Sequence, residues 1–141
     1  MAAELKTRPT RASVAAFLKK AATGDRLADA QWIVKAMQKA TGAKPVMWGP
    51  SIVGFGTYAV RYADGHATDW LLTGFSPRKT ALVLYGLRGP IKRDPALAKR
   101  LGKVKLGGGC LYIKRLADVD TGELAKLIAR AVKDTRAKSR G

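Results

Sequence analysis

Apolar residues at helical spacing mark the first third of the chain. Val14, Phe17, Leu18 and Ala21 recur at intervals of three and four, and Ser13 stands where a helix N-cap would. Gly24 interrupts this stripe. Asp25 opens a second helix with Ile33, Ala36, Met37 and Ala40 on one side, and Gly42 with Pro45 signals its end. Both stripes are of the width that faces a core. From Ser51 the pattern changes. Residues 52–62 are rich in β-branched and aromatic side chains, with Gly54 and Gly56 on the same side as Ile52 and Tyr58. Ala63-Asp64-Gly65-His66 is a hairpin turn signal, and Trp70 to Phe75 reads as the returning strand.

Ser76-Pro77-Arg78-Lys79 marks the next turn, and Ala81 to Tyr85 is a short, continuous apolar strand, buried on both faces or nearly so. Asp94-Pro95 resembles an N-cap followed by proline at the first helical position, with Leu97, Ala98 and Leu101 on one side and Gly102 as terminator. After Gly107-Gly108-Gly109, Cys110 to Lys114 reads as the last strand. Asp120 with Glu123 has capping-box spacing, and Leu124, Leu127, Ile128 and Ala131 form the clearest amphipathic stripe of the chain. The predicted order is helix, helix, three antiparallel strands, short helix, strand, helix. No βαβ alternation occurs, which disfavours a doubly wound nucleotide fold. The expected fold class is α+β, a two-layer sandwich with an antiparallel sheet and helices on one face. Residues 1–11 form an N-terminal arm, 12–133 one domain without an internal linker or repeat, and 134–141 a basic tail expected to fray from Thr135.

Composition narrows the class. An apolar fraction of 47% in 141 residues suits one ordinary core. No apolar run is long enough to span a bilayer, so no membrane insertion is expected, and the first residues lack the apolar stretch of a secretory signal. One cysteine, Cys110, cannot form an internal disulfide, which fits a reducing, cytoplasmic setting. The charge changes the picture most. Twenty-seven Lys and Arg against ten Asp and Glu give +17, unevenly distributed. Residues 25–77 carry five basic and four acidic side chains, whereas residues 78–115 carry eleven basic and one acidic, a net +10. Such a field attracts phosphates, nucleic acid or anionic lipid head groups without choosing among them.

Candidate chemistry is sparse. A lone His66 and a lone Cys110 lie far apart in sequence, with no carboxylate helper of obvious spacing, so a Cys-His nucleophile is disfavoured. The same two residues leave a zinc site short of ligands. Gly107-Gly108-Gly109 lacks the phosphate-loop pattern and precedes a strand, and no motif requires a cofactor. No residue pattern specifies an oligomeric state. The strip Met47-Trp-Gly-Pro-Ser-Ile-Val-Gly-Phe-Gly leaves room for a second body beside Trp48 and Phe55, either a ligand or the protein's own elements. The candidate ligand contacts are therefore Trp48, Ser51 and Phe55 in this strip, with Arg78, Lys79, Lys103, Lys105, Cys110, Tyr112 and Lys114 in the basic region. The leading expectation from them is a non-enzymatic binding module for nucleic acid or another phosphate-bearing polyanion, with an enzyme acting through Cys110 as the third reading.

The same strip, then Gly74-Phe-Ser-Pro-Arg-Lys, Leu101-Gly-Lys and Cys110-Leu-Tyr-Ile-Lys-Arg-Leu-Ala-Asp-Val-Asp, closely resembles the YdhG-like family of small bacterial proteins, over roughly residues 12–133. The resemblance implies a frataxin-like α/β sandwich and, as the alternative function, intracellular iron binding or delivery. Iron of this kind prefers clustered oxygen ligands. Asp118, Asp120 and Glu123 are the acids close enough in sequence to serve, and helix capping already accounts for two of them. A net +17 repels cations at long range, so the anionic partner is the leading expectation.

Overall fold

A computed structural model describes residues 9–61, 63–107 and 110–140, apart from the side chains of residues 88 and 138–140. Two helices come first. In α1 (Val14–Ala21) the Ser13 hydroxyl accepts from the Ala16 N–H at 3.1 Å, the cap its position predicts. In α2 (Asp25–Thr41) the left-handed Gly42 closes the helix and its N–H donates to the Gln38 carbonyl. Six strands follow: β1 (Pro45–Trp48), β2 (Ile52–Arg61), β3 (Ala67–Pro77), β4 (Leu82–Tyr85), β5 (Lys105–Gly107) and β6 (Cys110–Ile113). They form one antiparallel sheet in the order β1-β2-β3-β4-β6-β5. Between β4 and β5 lie α3 (Arg88–Arg93) and α4 (Ala96–Leu101). A 3-10 turn (Leu116–Asp118) leads into α5 (Thr121–Arg140).

The α+β class stands, with more elements than the periodicity predicted. β1, β5, α3 and the 3-10 turn are additions. Asp94 does not cap α4 through its side chain, because its carboxylate turns to Arg100 at 3.2 Å. Pro95 occupies the cap position itself, and backbone bonds from Leu97 to Asp94 and Ala98 to Pro95 start the turn. Helix α5 continues through the residues expected to fray, as far as Arg140. Residues 1–8 of the expected N-terminal arm lie outside the described residues. Pro9 bridges Trp48, and the Thr10 N–H donates to the Met47 carbonyl at 2.7 Å, so the arm's last residues cover the outer edge of β1.

Alternation along the strands divides the sheet into two faces. Val53, Phe55, Phe75, Leu82, Leu84, Leu111 and Ile113 face the helices and join Ile33 and Met37 of α2 and Leu124, Leu127 and Ile128 of α5 in the main core. Trp48, Gly54, Gly74, Val83, Tyr85, Cys110 and Tyr112 take the intervening positions and belong to the second face. Trp48 is only 2% exposed on that face and meets Trp70 edge to face, with ring centroids 5.5 Å apart.

Candidate functional site

The basic residues of 78–115 divide between two regions. On the short helices, Arg93 pairs with Asp134 of α5 and Arg100 with Asp94. Lys103, Lys105 and Lys114 gather around the far end of the sheet. The register sets Val83 opposite Tyr112 and Tyr112 opposite Lys105, so Lys105 and Tyr112 stand side by side. Lys114, just past the end of β6, lines the same cleft as Tyr112. Lys103 is held beside them by a local contact. Gly102 has φ of +113° and bridges Val119, and a Cβ there would lie 2.6 Å from the Asp118 carbonyl. That close approach lets the Lys103 N–H donate to the Asp118 carbonyl at 3.1 Å.

Lys103, Lys105, Leu106, Tyr112, Lys114 and Ala81 are among the residues that line an open cleft of about 600 Å³. Tyr112 is half-buried in its floor. The three lysines are exposed, and among the described residues none of their ammonium groups is in an ion pair. Asp118, the one carboxylate on the lining, lies 3.8 Å from Arg115. Leu106, 51% exposed, is the large apolar side chain left open at the edge.

Arg78 lies next to this cleft on the same face. Its N–H closes the β3–β4 turn onto the Ala81 carbonyl, its own carbonyl accepts from the Arg26 guanidinium, and its Nη2 donates to the Tyr85 hydroxyl at 3.1 Å. Tyr85 is a neighbour that the sequence pattern did not single out, because it closes a continuous apolar run. Cys110 sits opposite Tyr85. Burial pushes its thiol pKa up, and the nearby positive charge of Arg78 offsets this only in part. A raised pKa keeps the thiolate, the reactive form, a small fraction at neutral pH. Lys79 is exposed at the tip of the turn.

The structure therefore assembles Lys103, Lys105, Tyr112 and Lys114 at the cleft, with Arg78 and Cys110 beside it. The three residues of the glycine strip are elsewhere. Phe55 is fully buried in the main core, and Trp48 is buried against the chain's own backbone. A Cβ on Gly54 would lie 2.4 Å from the Trp48 ring, and one on Gly56 would lie 2.7 Å from Leu72. The room left by these glycines is taken by the protein itself, which removes Trp48 and Phe55 as ligand contacts. Ser51 is exposed in the β1–β2 turn, and its carbonyl accepts from the Ser76 hydroxyl at 2.7 Å. Gly108 and Gly109 lie outside the described residues.

The remaining chemistry is dispersed. His66 does have a carboxylate partner that spacing did not reveal: its ring and its backbone N–H both bond Asp64, which lowers the Asp64 pKa. This pair occupies the β2–β3 tip. Eight residues along β3 separate His66 from Gly74, the row of Cys110, a path of roughly 26 Å. No Cys-His pair forms. Asp120 caps α5 through the Glu123 N–H at 3.0 Å, and Asp118 faces Arg115. Among the described residues, no group of three or more His, Cys, Asp or Glu is placed to hold a metal ion, and no helix is long and apolar enough to cross a membrane. None of the family models, curated proteins or solved structures compared with the chain matches it.

Proposed function

We propose that this protein is a non-enzymatic, cytoplasmic binding module that holds a phosphate-bearing polyanion at the Lys103–Lys105–Lys114 cleft, with Arg78 and Lys79 extending the surface. Membership of the YdhG-like family, which the motifs suggest, is part of the same proposal. One observation carries the reading: three lysines converge around one half-buried tyrosine with no carboxylate paired to any of them among the described residues. Two ammonium groups brought close repel, by about 1 kcal/mol in water at a separation of about 4 Å and by less further apart. An anion between them converts that cost into attraction and releases counterions. Lysines on an edge strand also discourage strand-to-strand aggregation. That accounts for Lys105, in the edge strand β5, but not for Lys103 or Lys114, which lie outside the strands.

The test is a salt titration of a fluorescent oligonucleotide and of inorganic polyphosphate. Three neutralised phosphates predict that log affinity falls against log salt with slope of about −2 for a single strand. Lys103→Glu with Lys105→Glu should flatten that slope by one to two contacts. Lys19→Glu with Lys20→Glu on α1 changes net charge equally and should alter affinity far less. Equal losses in the two double variants would reduce the cleft to a share of general charge. No binding of either probe at low salt would end the proposal.

A further inference from the structure

The second face of the sheet carries more than charge. Its register places one row of residues as Gly54, Gly74, Tyr85, Cys110 and Gly107 across β2, β3, β4, β6 and β5. Trp48 and Leu71 fill the Gly54 end of the row. Beyond Tyr85, towards β5, every member is small. Tyr112 leans over the Gly107 end, where a Cβ would lie 3.3 Å from its Cε1. The next row is Ser76, Val83, Tyr112 and Lys105. Tyr112 follows Cys110 by two residues and is the diagonal neighbour of Tyr85, about 7–8 Å away by ordinary strand geometry. Ser76 and Val83 of the second row are buried, whereas both rings are partly exposed. Cations surround them: Arg78 at the Tyr85 hydroxyl, Lys105 across the strand from Tyr112, and Lys114 beyond it.

Resting on the polyanion reading above, we infer that the ligand is a single-stranded nucleic acid whose bases stack on Tyr112 and Tyr85 while its phosphates follow Arg78, Lys105, Lys114 and Lys103. Two aromatic rings on an open sheet face, fringed by cations, match the physics of single-strand binding. Bases supply flat apolar surfaces for the rings, and the backbone supplies the charge. A duplex keeps its bases stacked inside and offers this face only phosphates. An acidic peptide added to the β5 edge is the competing occupant. β5 has three residues, so it offers few ladder bonds, and a lysine in an edge strand opposes such pairing. Edge pairing also leaves the two tyrosines without a role.

The decisive probes are an oligothymidylate of about a dozen nucleotides, an abasic oligomer of the same length, the matching duplex and poly-glutamate, each titrated by fluorescence anisotropy. The oligothymidylate should bind more tightly than the other three. Tyr112→Leu should weaken it roughly 5- to 100-fold, the range expected for loss of one stacked base, with an unchanged salt slope because no phosphate contact is lost. Tyr112→Phe keeps the ring and should bind close to wild type, which separates stacking from any loss of fold. Thermal melts of both variants check folding, and Tyr85→Leu gives an independent reading of the second ring. Equal affinity for abasic and thymidylate oligomers, with lysine dependence intact, would overturn base stacking and leave the polyanion reading standing. Equal or tighter binding of poly-glutamate or duplex would overturn the single-strand assignment. Absence of binding to every probe would overturn both.

Discussion

Gly54 offers a sharp test of how the second face is packed. Its φ does not lie in the left-handed region, so alanine brings no backbone strain there and acts by volume alone. The added methyl would lie 2.4 Å from Trp48 Cδ1, 2.6 Å from Nε1 and 3.1 Å from Leu71 Cβ. Trp48 has little room to yield, being 2% exposed and set edge-on against Trp70. Overpacking of this kind costs about 1–3 kcal/mol. For a chain of this size that lowers Tm by roughly 4–12 °C. Trp48→Leu alone costs about 3 kcal/mol, but it vacates the space the methyl needs. Gly54→Ala placed on Trp48→Leu should therefore cost little more, a favourable coupling of about 1–2 kcal/mol. Gly74→Ala is the control. Its methyl would meet backbone, at 2.5 Å from the Val53 carbonyl and 3.1 Å from Gly54 Cα, so Trp48→Leu cannot relieve it. Urea unfolding followed by circular dichroism, with m-values checked for constancy, measures all three terms. An unchanged midpoint for Gly54→Ala, or equal relief of both glycine variants by Trp48→Leu, would refute this account of the packing.

Two further outcomes are expected. Because burial holds the Cys110 pKa above its ordinary value, iodoacetamide should label the folded protein more slowly than a free thiol near pH 7.5 and keep accelerating at pH values where the free thiol has levelled off; fast stoichiometric labelling at neutral pH would contradict this. The Asp29 carboxylate of α2 accepts the Leu116 N–H at 3.1 Å, so Asp29→Ala should cost about 1.5–3 kcal/mol in urea unfolding and Asp29→Asn, which keeps an acceptor, clearly less; equal values for the two would remove the hydrogen bond from the explanation.

What the sequence disclosed, and what it hid, follows from whether an element's cause is local. The stripes of α1, α2 and α5, the β-branched and aromatic content of β2 and the turn signals that bound β3 are written in consecutive residues, and those elements were legible. β1 was not: Val46-Met47-Trp48 lies between stop signals at Gly42 and Pro45 and the turn at Gly49-Pro50, and it becomes a strand by pairing with β2. β5 is Lys-Leu-Gly, with no periodic signal, and exists because β6 offers an unpaired edge. α3 contains Gly89 and Pro90, both breakers by composition, yet Pro90 stands in its first turn, where no N–H is needed, and Leu87 and Ile91 seat the segment in the core. The site divides in the same way. Cys110-Leu-Tyr-Ile-Lys alternates, so Tyr112 and Lys114 could be assigned to the face opposite the core from sequence alone. Trp48 and Phe55 could not be placed, because glycines record that something fits beside them without recording what. Here it is the chain's own indole and leucines. Tyr85 was hidden for the opposite reason. In the run Leu82-Val83-Leu84-Tyr85 every residue is apolar or aromatic, and no period distinguishes the faces. Pairing with Gly74 on one side and Cys110 on the other puts Tyr85 on the open face. A binding surface built across strands, with each strand contributing one or two side chains, is thus nearly invisible in sequence order, and the basic excess of residues 78–115 was legible mainly because charge needs no register to be counted.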